Sequence, residues 1–135
     1  MELSVTLKQF RRLIDLVYIG NWVLNSARGD DRITEFDEVE SLLFEKCREL
    51  GMEKLTETAD GAAIPSRAFA EGGIHEAIME YEDAIFFEIL AEELARRDVI
   101  ADGGTEDDAE QINERIGAYI AEFERNGTDN IVLNL

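Results

Sequence analysis

The stretch Glu80–Asp98, "EYEDAIFFEILAEELARRD", carries seven carboxylates in nineteen residues. The spacing of its apolar residues decides whether these acids form a chemical site or the wet side of a helix. Phe86, Phe87, Leu90, Ala91 and Leu94 share one face at helical spacing, while Glu88, Glu92, Glu93 and Arg96 point away from it. An amphipathic helix requires such a solvated side. Asp83 alone falls near the middle of the apolar stripe. That is the position of a residue that starts the helix and accepts from the N–H groups of Ile85 or Phe86. The stretch therefore predicts a helix opening at Asp83 and a chain that is mainly α.

Toward the C-terminus, Thr105 followed three residues later by Asp108 is a helix-start pair. Ile112, Ile116, Tyr119, Ile120 and Phe123 form the stripe of the helix that follows, and Asn126-Gly127 ends it. Toward the N-terminus, Ile74–Tyr81 reads as a short helix. Residues 56–73, "TETADGAAIPSRAFAEGG", hold the only proline and several small-residue breaks. They read as a long internal loop, with Arg67 and Phe69 as candidate contact residues.

Thr34 with Asp37 opens a second helix, striped by Phe36, Val39, Leu43, Cys47 and Leu50 and stopped by Gly51 in a left-handed turn. Cys47 reads as a small core residue. Thr6 caps a first helix running to about Arg28. Leu7, Phe10, Ile14, Val17, Tyr18 and Leu24 lie along one side of it, and Leu16, Ile19, Trp22 and Val23 cover the others. A helix apolar nearly all round belongs at the centre of a core or in a dimer interface.

The expectation is one domain, 1–135, of about five helices in an orthogonal or irregular bundle. A two-stranded ribbon is expected to join Glu2–Val5 to the β-like "NIVLNL" at the C-terminus. Phe10, Ile14, Val17, Leu43, Phe87, Leu90, Leu94, Ile116 and Ile120 are expected in a common core.

The formal charge is −18, unevenly spread. Residues 1–67 carry 13 acids and 9 bases; residues 68–135 carry 18 acids and 4 bases. Direct binding of nucleic acid needs a basic footprint, and only Lys8, Arg11 and Arg12 gather near one another. Anionic membranes are disfavoured for the same reason, and no apolar run is long enough to span a bilayer. A single cysteine allows no intrachain disulfide. The opening "MELSVTLKQFRR" has no signal region, so a cytoplasmic protein is expected. The acidity points to a basic protein partner, with Glu88, Glu92 and Glu93 as contact acids, and Trp22 points to self-association as a homodimer.

Chemical motifs are sparse. "HEAIM", from His75, begins like a zinc-protease helix, but Met79 stands where the second histidine must be. Glu35-x-x-Glu38 and Glu80-x-x-Asp83 could hold Mg²⁺ between two helices. These fragments resemble the EExxE…ExxD arrangement of the all-helical nucleotide pyrophosphohydrolases, although the first lacks the doubled glutamate. The resemblance implies a Mg²⁺-dependent phosphohydrolase as the alternative function. The leading expectation is a macromolecular binding or regulatory module with no cofactor.

Overall fold

The computed structural model describes residues 1–135. Helix α1 spans Leu7–Asn25 and α2 spans Thr34–Glu49. Strands β1 (Thr56–Ala59) and β2 (Ala62–Pro65) follow, then the single turn α3 (Arg67–Phe69). The long helices α4 (His75–Ala101) and α5 (Ala109–Asn126) complete the chain. It is mainly α with one small hairpin. The chain forms two compact units, residues 1–78 and 79–135, with a separate apolar cluster in each.

In the first unit, Thr6 caps α1 as expected. Its hydroxyl accepts from the Gln9 N–H, and the Gln9 side chain returns a bond to the Thr6 backbone. Helix α2 begins one residue after Ile33, with no side chain on its first N–H groups, so Thr34 is not its cap. It ends at Gly51, whose φ of +74° only glycine adopts at little cost. The Met52 N–H then bonds back to the Cys47 carbonyl at 2.8 Å, closing the helix end.

Residues 56–65, read above as loop, form the hairpin. Thr56 pairs with Pro65 and Ala59 with Ala62 in antiparallel register. Asp60 and Gly61 at the tip both have positive φ, the conformation of a tight hairpin turn for which Asp-Gly is suited. The ribbon expected between the termini does not form; Glu2–Val5 and Asn130–Leu135 contain no strand.

Phe10, Ile14, Phe44, Cys47, Ala63 and Phe69 make the core of this unit. Phe69 packs edge-on to Tyr18 and Phe44, with centroids 5.1 and 5.0 Å away. It is a core residue and not the surface contact expected of it. Ser66 fixes it there, accepting from the Phe69 N–H and donating to the Lys54 carbonyl at 2.6 Å. The buried side of α2 is rotated from the expected stripe: Phe44 and Cys47 are buried, whereas Phe36, Val39 and Leu50 are exposed. The second half of α1 is not at the centre of a core either, since Leu16 and Val23 are two-thirds exposed.

Gly72 and Gly73 make a kinked turn, Gly73 at φ +100°, that leads into α4. The expected short helix and the one after it are a single helix of 27 residues. Asp83 lies in its interior, exposed. Backbone N–H groups there are already bonded one turn back, so Asp83 caps nothing.

In the second unit, Ala95, Val99 and Ile112 are buried, flanked by Ile116 and Tyr119. Ala91 and Ala95 of α4 are both fully buried. Helix α4 ends in the same way as α2: Gly103 at φ +88°, with Gly103 and Gly104 donating to the carbonyls of Ile100 and Val99. Asp108 accepts from the Thr105 N–H at 2.7 Å just before α5. The single core expected is thus two clusters. Phe10 and Ile14 belong to the first and Leu43 borders it, Ile116 borders the second, and Val17, Phe87, Leu90, Leu94 and Ile120 are half-buried. No helix is long and apolar enough to cross a membrane.

Candidate functional site

The face of α1 that carries Phe10 and Ile14 continues into Asn21 and Asn25, both buried. Buried amides must find partners. Asn25 donates to Asn21 Oδ1 at 2.7 Å and to the Ile33 carbonyl at 3.0 Å, and accepts from the Ile33 N–H at 2.9 Å. Asn21 donates to Asp37 Oδ1 at 3.0 Å. The segment between α1 and α2 is thereby folded back, and it delivers Arg32 to Asp37. Arg32 Nε and Nη2 both lie 2.6 Å from the Asp37 carboxylate, a two-point grip that fits a planar guanidinium.

Around this network, Tyr18, Asn21, Trp22, Asn25, Ser26, Arg32 and Glu40 line a pocket of about 210 Å³. Tyr18 and Trp22 stand one turn apart on α1, their rings stacked at 6.3 Å. His75, the first residue of α4, braces both. Its Nε2 is 2.6 Å from Tyr18 Oη in a hydrogen bond, and its ring meets Trp22 edge-on at 4.7 Å.

The electrostatics are uneven. Burial pushes the Glu40 carboxyl above its ordinary value; the Asn21 amide opposes this, the Asp37 charge adds to it, and Arg32 again opposes. Arg32 is spent on Asp37, which it holds below the usual aspartate range. Burial raises the Tyr18 phenol, and the Glu40 charge raises it further. Glu40 is the one carboxylate that lines the pocket, beside the guanidinium that Asp37 holds and two aromatic rings.

Of the residues singled out by sequence, Trp22 lines this pocket. Arg67 is exposed and paired with Glu71 at 2.6 Å. Glu88 is exposed beside a shallow groove lined by Asp83, Phe87 and Phe123; Glu92 holds Arg96 at 2.6 Å; Glu93 is exposed. Glu35 and Glu38 are exposed on α2, and Glu80 and Asp83 on α4. Neither unit gathers three His, Cys, Asp or Glu side chains as a metal ion requires. Asn21, Asn25, Arg32, Glu40 and Tyr18 are not among the residues singled out by sequence, and His75 enters there only through the incomplete zinc-protease motif. The available signal was polarity at helical spacing on a core face: Asn21 and Asn25 in phase with Ile14, and Asp37 and Glu40 in phase with Phe44.

A second surface feature lies on α4, on the side away from Ala91, Ala95 and Val99. Met79, Glu82, Phe86, Ile89, Glu93, Arg96 and Ile100 follow one another in alternating steps of three and four residues. Met79, Phe86, Ile89 and Ile100 are each about half exposed. Residues 79–135 carry 16 acids against 4 bases. Three of those bases are already occupied, Arg96 by Glu92, Arg97 by Asp98, and Arg115 by Asp98 and Asp102. Compared with known proteins, the chain matches no family model, no curated protein and no solved structure.

Proposed function

We propose that the protein is a binding module for a basic protein, and that it receives an amphipathic, lysine- or arginine-rich helix along the outer stripe of α4. One observation carries this reading. Four large apolar side chains hold four of the seven positions of that stripe, whose steps are those of a coiled-coil seam, and are left half in water. Covering them removes apolar surface from water, the main source of helix-in-groove affinity. The charge selects the partner. Glu82, Glu93 and Arg96, the last paired with Glu92, interrupt the stripe, and the surrounding unit has a net charge of −12. A second copy would bring like charges together, whereas a basic helix relieves them.

The test is calorimetric titration with two designed helical peptides of equal apolar content, one leucine–lysine and one leucine–glutamate. The lysine peptide should bind, more weakly as salt rises, and Phe86→Gln with Ile89→Gln should abolish the heat. Equal binding of both peptides, or a dimer in sedimentation that the same variant dissolves, would contradict this reading.

A further inference from the structure

We infer that the pocket between Trp22 and Glu40 is a receptor for a small organic monocation, an alkylammonium or guanidinium head group. This goes beyond the α4 surface, since every residue involved lies within residues 1–78. Three features of the pocket select such a ligand. First, the chain supplies a carboxylate in no direct ion pair: Arg32 grips Asp37 at two points and acts on Glu40 only from a distance, leaving Glu40 with the Asn21 amide. A half-buried carboxylate held in that state is costly unless a cation completes it.

Second, the walls suit a soft organic cation. The Trp22 and Tyr18 rings line the same space as Glu40, and cations are attracted to such ring faces within about 6 Å. A strongly hydrated metal ion would instead need several oxygen ligands, and no such group is present. Third, the site is held in shape before any ligand arrives. His75 fixes Tyr18 and Trp22, and Asn21 ties α1 to Asp37. A pocket near 210 Å³ is small for a drug-sized molecule but admits a cationic head with a short alkyl chain. That head group could belong to a free amine or to a lysine or arginine side chain, and the chemistry at Glu40 is the same for both.

Trp22 is the only tryptophan, so its fluorescence reports on this pocket alone. The test titrates the full chain with methylguanidinium and trimethylammonium, with a capped lysine tripeptide and its acetyl-lysine form, and with sodium acetate at matched ionic strength. The cations should give a saturable change that acetate and acetyl-lysine do not. Glu40→Gln, checked for folding by circular dichroism, should weaken the effect by roughly tenfold or more. Saturation-transfer NMR on the free amines gives a second readout that does not depend on the indole. Saturation by the free amines assigns a free ligand; saturation by the lysine tripeptide alone assigns a protein side chain. No saturable change with any cation, equal affinity in Glu40→Gln, or a response to acetate would each overturn the assignment.

Discussion

The side-chain amide of Asn25 takes both backbone polar groups of Ile33, donating to its carbonyl at 3.0 Å and accepting from its N–H at 2.9 Å. Asn25 is the last residue of α1 and Ile33 immediately precedes α2. One buried side chain therefore does for the α1–α2 connection what a capping residue does elsewhere. Asn25→Leu keeps the volume but strands both Ile33 groups. It should cost about 1–3 kcal/mol in denaturant unfolding, the range for unsatisfied buried polar groups. It should also change Trp22 emission, because Asn25 and Trp22 line the same pocket and the Ile33 backbone beside Arg32 is released. An unchanged midpoint would mean that the connection is held by other contacts.

Glu40 gives a pH-dependent prediction whose sign follows from burial. Its folded-state pKa is raised above the ordinary value of 4.5. Such a group contributes its full stability below the unfolded value and loses it as pH rises through the folded value. At neutral pH the ionised carboxylate is therefore a liability. Glu40→Gln should raise the melting temperature at pH 7 by a few degrees. The gain should vanish near pH 4, where both side chains are neutral. A variant that melts lower than wild type at pH 7 would show that Glu40 has a counter-ion after all.

Asp98 behaves in the opposite sense. The Tyr119 hydroxyl donates to its carboxylate and holds it below the ordinary aspartate value of 3.8, with Arg97 and Arg115 assisting. A lowered pKa contributes stability above the unfolded value that is lost as pH falls through the folded one. Tyr119→Phe should cost about 0.5–1.5 kcal/mol at pH 7, the net worth of one such bond. The gap from wild type should close as the carboxyl protonates. Paired thermal melts at pH 7 and in strong acid decide this.

Gly104 tests how closely the turn after α4 is packed. A Cβ there would sit 2.7 Å from Val99 Cγ1 and 3.0 Å from the Val99 carbonyl oxygen. The Gly104 N–H bonds that same carbonyl at 2.9 Å, so the backbone has little freedom to withdraw. Gly104→Ala should destabilise the chain by about 1–3 kcal/mol, as overpacking does. Gly117→Ala, where a Cβ meets nothing within 4 Å, is the control. As a helix-interior substitution it should stabilise by up to about 1 kcal/mol.

The parts of the fold legible in the sequence were those where side-chain polarity followed burial. Thr6, Gly51, and the stripe that places Ile112 and Phe123 on the buried side of α5 all read correctly on local pattern. The hairpin is hard to read because Ile64 is the only large apolar residue in its two four-residue strands, leaving Asp60-Gly61 as the main signal. The sequence pattern breaks α4 at Asp83, because an acid in an apolar stripe reads as a helix cap. That stripe instead lies within a helix with apolar residues on several sides. The site itself was hidden by the same habit in reverse. Asn21, Asn25, Asp37 and Glu40 interrupt core faces, so the apolar stripe of α2 was drawn through Phe36 and Val39, which are exposed. Polar residues can hold a core face when they bond one another, and pairwise bonding is not visible in a one-dimensional pattern.

The proposal that α4 receives a basic helix is tested most directly by amide chemical-shift mapping of the ¹⁵N-labelled chain during titration with the leucine–lysine peptide. The account predicts that the largest shifts fall along α4 at Met79, Glu82, Phe86, Ile89, Glu93 and Ile100, and that they are smaller at high salt. Shifts confined to other surfaces, or a spectrum unchanged at saturating peptide, would contradict it.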